Sequence, residues 1–265
     1  MRVDLHVHTH VSDSSLSTED TIKLAKSKGL THVAITNHDT VVGLKEAMDL
    51  GAKHGVTIIP GIEISAYDAE LDKRVHILGY DFNLEAPHIQ AICNPLNNRR
   101  DSNTKWQVEQ LIAQGYPITM EEVSEVAKNS TAFYKQHLFD VLAQKGITRQ
   151  DVKHLFKNGG PCDRSIEYID AVMAVKAIKA DGGFAVIAHP GQSKNYEIIP
   201  KLVQVGLDGI EKYHPDHSEC DYQKVEALCE AYELFRTAGS DFHAEYGPIR
   251  PFGNMVLNYL PFPKK

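Results

Sequence analysis

Residues 2–38 read RVDLHVHTHVSDSSLSTEDTIKLAKSKGLTHVAITNH, and the fold follows from this stretch. Val3, Leu5 and Val7 alternate with Asp4, His6 and His8, the period of two that marks a strand with chemically different faces. Residues 17–20 then give a capping signal for a helix whose apolar face carries Ile22, Leu24 and Ala25 and which closes near Gly29. A second strand is predicted over 31–36. Strand, helix and strand in so short a span form a βα unit, and successive units of this kind build parallel sheets.

Outward from this unit the rhythm continues. A helix is predicted over 43–54, with strands over 57–64 and 74–80. From 85 to 164 it breaks into amphipathic helices near 103–114, 120–128, 132–144 and 149–156, with Leu111, Ile112 and Ile118 as their apolar stripe. It resumes with helices over 166–181, 198–205 and 219–232 between strands over 184–188, 209–212 and 235–240. Seven strand candidates with helical crossovers suit a closed α/β barrel better than an open doubly wound sheet. The expected organisation is a barrel from residues 1–84 and 165–265, interrupted by a helical insertion over 85–164.

Composition narrows the partners. A formal charge of −7 with no dense Lys/Arg stripe argues against a long nucleic acid, because a phosphate backbone is held by clustered cations. An acidic chain that handles phosphate needs positive charge from elsewhere, and metal ions supply it. Cys93, Cys162, Cys220 and Cys229 lack CxxC spacing, so neither a zinc ribbon nor a dithiol redox site is expected. MRVDLHVH has no apolar leader, and no run approaches the ~20 residues of a membrane span, which predicts a cytoplasmic protein.

In a parallel barrel, reactive groups come from the C-terminal ends of the strands. His6, His8, His38, Glu63, His76, His189, Asp241 and His243 fall near predicted strand ends, and Asp13 lies just beyond the first strand. His-x-His turns both imidazoles to one face, and neutral imidazole nitrogen is a common ligand for transition metals. Clustered His, Asp and Glu point to a metal site rather than to a stabilising role.

The motifs DLHVHTHVSD, AITNHDTVVG, PGIEIS, VHILGY, FAVIAHPG, DGIEKYHPDHS and AGSDFH, in that order, resemble the PHP (polymerase and histidinol phosphatase) phosphoesterases of the amidohydrolase superfamily. The resemblance implies a distorted seven-stranded barrel with three metal positions. Carried over, the first would be bound by His6, His8, Glu63 and Asp241, the second by Glu63, His76 and His189, and the third by Asp13, His38 and His243. Asn37 stands where relatives commonly have Asp, and is expected to brace the ligands without costing a metal. The cofactors implied are two or three divalent ions, Mn, Zn or Fe.

The expected chemistry is hydrolysis of a small phosphorylated metabolite, with inorganic phosphate as a product. Cations lower the pKa of a bound water from about 15.7 toward ~7, giving a hydroxide that attacks phosphorus. His214 and His217 are the candidate general acids, since imidazole titrates in the right range. Arg99, Arg100, Lys135 and His137 in the insertion are the candidate substrate contacts, arginine being suited to bidentate phosphate binding. Nucleotide 3′,5′-bisphosphates, sugar phosphates, cyclic phosphodiesters and histidinol phosphate all remain open. Relatives acting on bisphosphates often carry SRTHF in the insertion; FYKQHLF here keeps His137 but has Lys135 for the arginine. A polymerase-associated, non-catalytic PHP module is the alternative from another class, and intact ligands argue against it.

Overall fold

A computed structural model describes residues 1–246, 248 and 250–263. The chain divides into two compact units, Met1–Cys93 with Tyr168–Lys265, and Asn94–Glu167. In chain order the elements are β1 (Val3–Val7), α1 (Thr18–Ser27), β2 (His32–Ile35), α2 (Leu44–His54), β3 (Thr57–Asp68), β4 (Lys73–Tyr80) and α3 (Pro87–Ala113). Then come α4 (Met120–Val126), α5 (Lys135–Gln144), α6 (Arg149–Val152), β5 (Ile169–Asp170), α7 (Ala171–Ala180), β6 (Phe184–Ile187) and α8 (Pro190–Ser193). The last are α9 (Ile199–Val203), β7 (Gly209–Tyr213), α10 (Glu219–Ala231) and β8 (Phe235–Ala238). No helix among the described residues is long and apolar enough to cross a membrane.

The first unit is a nearly closed barrel with strand order β1-β2-β3-β4-β6-β7-β8, and short β5 pairs with β3. Beside the seam, the His8 amide donates to Phe242 O at 3.0 Å just beyond β1 and β8. Val3, Leu5, Ala34, Ile59, Leu78, Tyr80, Val186, Ala188 and Ala238 pack as one apolar cluster. Fully burying one such valine or leucine stabilises by about 1.5–3 kcal/mol. Ser17 caps α1 by accepting from the Asp20 amide at 3.1 Å, as its sequence signals.

The expectation of parallel units throughout is corrected at one strand. β4 runs antiparallel to both β3 and β6, whereas the β1–β2, β2–β3, β6–β7 and β7–β8 pairs are parallel. Only residues 69–72 separate β3 from β4. That suffices for a hairpin, whereas a parallel return needs a crossover of roughly a dozen residues or more. Reversal puts the start of β4 beside the end of β3, where His76 pairs with Ser65.

In the second unit, Val108, Leu111, Ile118, Val123, Leu138, Val141 and Leu142 form the core. Ile112, expected in that core, is 51% exposed. Helix α3 also begins well before the expected 103 and contains Pro95. An internal proline removes a helical hydrogen bond and reads as a breaker, which hid this helix in the sequence.

Candidate metal centre

The strands and the loops after them bring all nine expected ligand residues together. His6 lies in β1 and His8 follows it. Asp13 is on the next loop, His38 follows β2, Glu63 is in β3 and His76 in β4. His189 follows β6, and Asp241 and His243 follow β8. Three groups emerge in which one ligand atom per residue lies within 4.8 Å of the others: His6, His8, Glu63 and Asp241; His8, Asp13, His38 and His243; and His38, Glu63 and His76.

Glu63 is the centre. Its Oε2 lies 3.1 Å from His6 Nε2, 3.2 Å from His8 Nε2 and 3.4 Å from His38 Nδ1. Its Oε1 lies 2.7 Å from His76 Nδ1 and 3.1 Å from His189 Nε2. Asp241 Oδ1 approaches His6 Nε2 and His8 Nε2 at 3.4 and 3.3 Å, and Asp13 Oδ1 approaches His243 Nε2 at 3.4 Å. His8, His38 and Glu63 each belong to two of these groups, and His189 joins the cluster through Glu63 Oε1, which it shares with His76.

The donor set fits divalent cations. His6 Nε2, both ring nitrogens of His8 and Glu63 Oε2 are buried without a hydrogen-bond partner among the described residues. Imidazole lone pairs and carboxylate oxygens facing one another out of water need a cation or proton between them. Burial disfavours charge on His6, yet the Glu63 and Glu211 carboxylates outweigh it and raise the group to about 10. Burial lowers His8 and His189 to about 4 and His38 to about 3, so these rings are neutral, the form that ligates. Burial opposes ionisation of Glu63, but the surrounding histidines hold it well below the carboxylate range. The backbone is also constrained here: His189 and Asp241 have φ of 27° and 48°, in the left-handed region. Such conformations cost on the order of 1–3 kcal/mol and concentrate at functional sites.

Residues not singled out as ligands brace the cluster. Buried Glu211, on β7, takes His6 Nδ1 at 3.0 Å and accepts from the His189 amide at 2.8 Å. The bond to Nδ1 holds a proton there and leaves Nε2, which faces Glu63, as the nitrogen at which a cation would replace the second proton. An acid inside the strand expected over 209–212 was the available signal. Asn37 accepts from the Thr9 amide at 2.8 Å and from Ser12 Oγ at 3.0 Å, tying down the loop that carries Asp13. Gly239 is required at the end of β8, where a Cβ would meet His6 Cβ at 2.1 Å.

The two candidate acids have different surroundings. His217 donates from Nδ1 to Lys212 O at 2.8 Å and accepts at Nε2 from the Gly191 amide at 3.0 Å. Both nitrogens are hydrogen-bonded to backbone groups, which ties its loop to the chain at Gly191. His214 accepts the Asp216 amide at Nδ1, 3.1 Å away, so its proton sits on Nε2, 3.4 Å from Asp241 Oδ2. Burial lowers it to about 4, Glu211 opposing and the charges on His6 and Arg250 adding. It is therefore a neutral N–H donor at pH 7, and not the imidazolium its residue type suggested. Arg250, which no motif marked, is buried beside it. Its Nη1 donates to Asp241 Oδ2 and lies 3.2 Å from His214 Nε2, and its Nη2 donates to Asp216 Oδ2.

The four insertion candidates sit in the second unit. Arg99 Nε donates to Glu167 O at 2.9 Å, and Arg99 lines a cavity of 380 Å³ with Asn98, Ser102, Arg164, Ser165 and Ile166. The Arg100 guanidinium lies 4.7 Å from the Tyr134 ring centroid, and the Lys135 ammonium 5.6 Å from that of Phe156. Buried His137 accepts the Tyr134 amide at 3.1 Å, capping α5. Each of these three thus has a part in the unit's own packing.

Residues 4–144 match the family profile described as PHP domain. The phosphoribosyl 1,2-cyclic phosphate 1,2-diphosphodiesterase of Eggerthella lenta is 43% identical over 96% of this chain and 98% of its own. The 3′,5′-nucleoside bisphosphate phosphatase of Chromobacterium violaceum is 28% identical over 91% of this chain and 87% of its own. A Bifidobacterium adolescentis crystal structure described as a metal-dependent phosphoesterase superposes with a TM-score of 0.86 at 27% identity, covering 96% of this chain and 91% of the other. Fold, site and relatives together define a metal-dependent phosphoesterase. Within that class, the chain belongs to the PHP family.

Proposed function

We propose that the protein opens the five-membered phosphodiester ring of a 1,2-cyclic phosphate on a phosphorylated ribose. The observation carrying this reading is identity of 43%, end to end, with a relative named for that substrate. The buried cluster centred on Glu63 supports it chemically. His6, His8, Glu63 and Asp241 would hold one divalent ion, Glu63, His76 and His189 a second, and Asp13, His38 and His243 a third, as Mn, Zn or Fe. Bound there, such ions supply activation of water near neutral pH and neutralise the phosphoryl charge. Glu211 holds the Nδ1 proton of His6 and so leaves Nε2 to face the ion. His214 holds a proton at Nε2, buried and uncharged, from which it can donate a hydrogen bond to the oxygen that leaves phosphorus. Arg99, Arg100, Lys135 and His137 are proposed to recognise the rest of the substrate.

Phosphorus-31 NMR tests the assignment. Metal-loaded protein is given the cyclic ribose phosphate, a nucleoside 3′,5′-bisphosphate and histidinol phosphate in separate reactions. The cyclic diester is expected to be consumed with kcat/KM at least about a hundredfold above either monoester, the scale of discrimination a polar site reaches. Preference for the bisphosphate would return the reading to a nucleotide phosphatase.

A further inference from the structure

Arg250 is the one buried lysine or arginine among the described residues. It is 8% exposed and lies among the buried acids of the metal centre, in a chain whose formal charge is −7. Its position is specific. Asp241 divides its oxygens, Oδ1 toward His6 and His8 and Oδ2 toward Arg250 and His214. The guanidinium is thus one carboxylate away from the atoms that would hold a cation. Two donors, Arg250 Nη1 and the Nε2–H of His214, converge on a single anionic oxygen.

A purely structural arginine would be expected to satisfy its buried donors. Arg250 Nε is buried with no hydrogen-bond partner among the described residues. Leaving such a donor unpaired is costly, and a guanidinium N–H donates to an oxygen of a tetrahedral oxyanion as well as to a carboxylate. A phosphoryl oxygen presented at this cluster would satisfy Nε, which the protein alone does not.

We propose that Arg250 is a catalytic residue whose guanidinium, offering the unpaired Nε–H and its charge with His214 Nε2–H beside it, binds a phosphoryl oxygen of the ester at the metal centre. This rests on the phosphoesterase activity and the candidate metal centre, and is independent of which ester is the natural substrate. The guanidinium holds the phosphoryl group through Nε and offsets charge as it builds on the oxygens around phosphorus. Arg250 therefore acts on both binding and turnover.

The test uses inorganic phosphate as probe, titrated calorimetrically into Mn-loaded wild type, R250M and R250K, with metal content and melting temperature recorded alongside. R250M should keep its metal and its fold while phosphate affinity falls roughly ten- to a hundredfold, the scale of a charge-assisted contact. In R250K, which keeps the charge but loses the Nε donor, affinity should fall by a smaller factor, with kcat reduced more than KM is raised. Wild-type phosphate affinity in a folded, metal-loaded R250M would overturn the proposal. If R250M does not fold, R250K decides alone: unchanged affinity and kcat would overturn the proposal. A wild type that binds phosphate but leaves the cyclic diester intact would sink only the substrate assignment.

Discussion

Asp241 shows how much a single side chain does in this site. One of its oxygens faces His6 and His8 while the other faces Arg250 and His214. Asp241→Asn or His8→Ala should therefore abolish ester hydrolysis and lower bound metal, while circular dichroism stays close to wild type. Near-normal turnover in either variant would mean that water is activated elsewhere. Glu211→Gln is subtler: it keeps the shape around His6 but removes a charge. A lost hydrogen-bond partner of a metal-ligating histidine costs about 10–100-fold in affinity. A metal titration of Glu211→Gln should show that loss.

Asp4 gives a pH prediction. Burial raises it from 3.8 to about 6, although Ser240 and the His6 amide donate to it. An acid whose folded value lies above its unfolded one binds its proton more tightly when folded. Its contribution to stability thus declines as pH rises from 3.8 to about 6 and stays lost above that. The difference amounts to ~3 kcal/mol, at about 1.4 kcal/mol per pK unit. Asp4→Asn, measured by denaturant unfolding of metal-free protein, should flatten this slope and gain stability at pH 7 relative to wild type. An unchanged slope would mean that Asp4 does not titrate in this window.

At the scale of elements, legibility followed local pattern. Alternation in β1 and the cap at Ser17 placed the first βα unit correctly because both are short-range signals. Direction is not a local property, so the reversal of β4 had to be read from the short 69–72 connection. Proline concealed the first turns of α3. Burial was equally hard to read: the type of His214 suggested a titrating acid, but its surroundings make it a neutral donor, and nothing local to residues 248–252 marked Arg250. For the insertion, Arg99 lines a cavity whereas Arg100 and Lys135 stack on rings. Arg99→Ala is expected to raise KM for the natural ester roughly ten- to a hundredfold and to leave p-nitrophenyl phosphate hydrolysis unchanged. Arg100→Ala and Lys135→Ala should lower the melting temperature as well. Equal losses on both esters after Arg99→Ala would remove it from substrate recognition.

For the whole molecule, the seven motifs lie far apart in sequence, and the barrel closes them into one buried cluster around Glu63. Carboxylates confined with neutral imidazoles bind cations in the folded state only, so metal and fold should stabilise each other. At about a hundred times the dissociation constant a single ion adds ~2.7 kcal/mol, which for a chain of this size raises the melting temperature by roughly 5–10 °C. Chelation should reverse that rise. The most direct test of the central claim is elemental analysis of the protein after reconstitution with Mn or Zn at neutral pH and removal of free metal. The nine side chains predict roughly two or three ions per chain. Fewer than about one ion per chain would contradict the metal centre and the chemistry built on it.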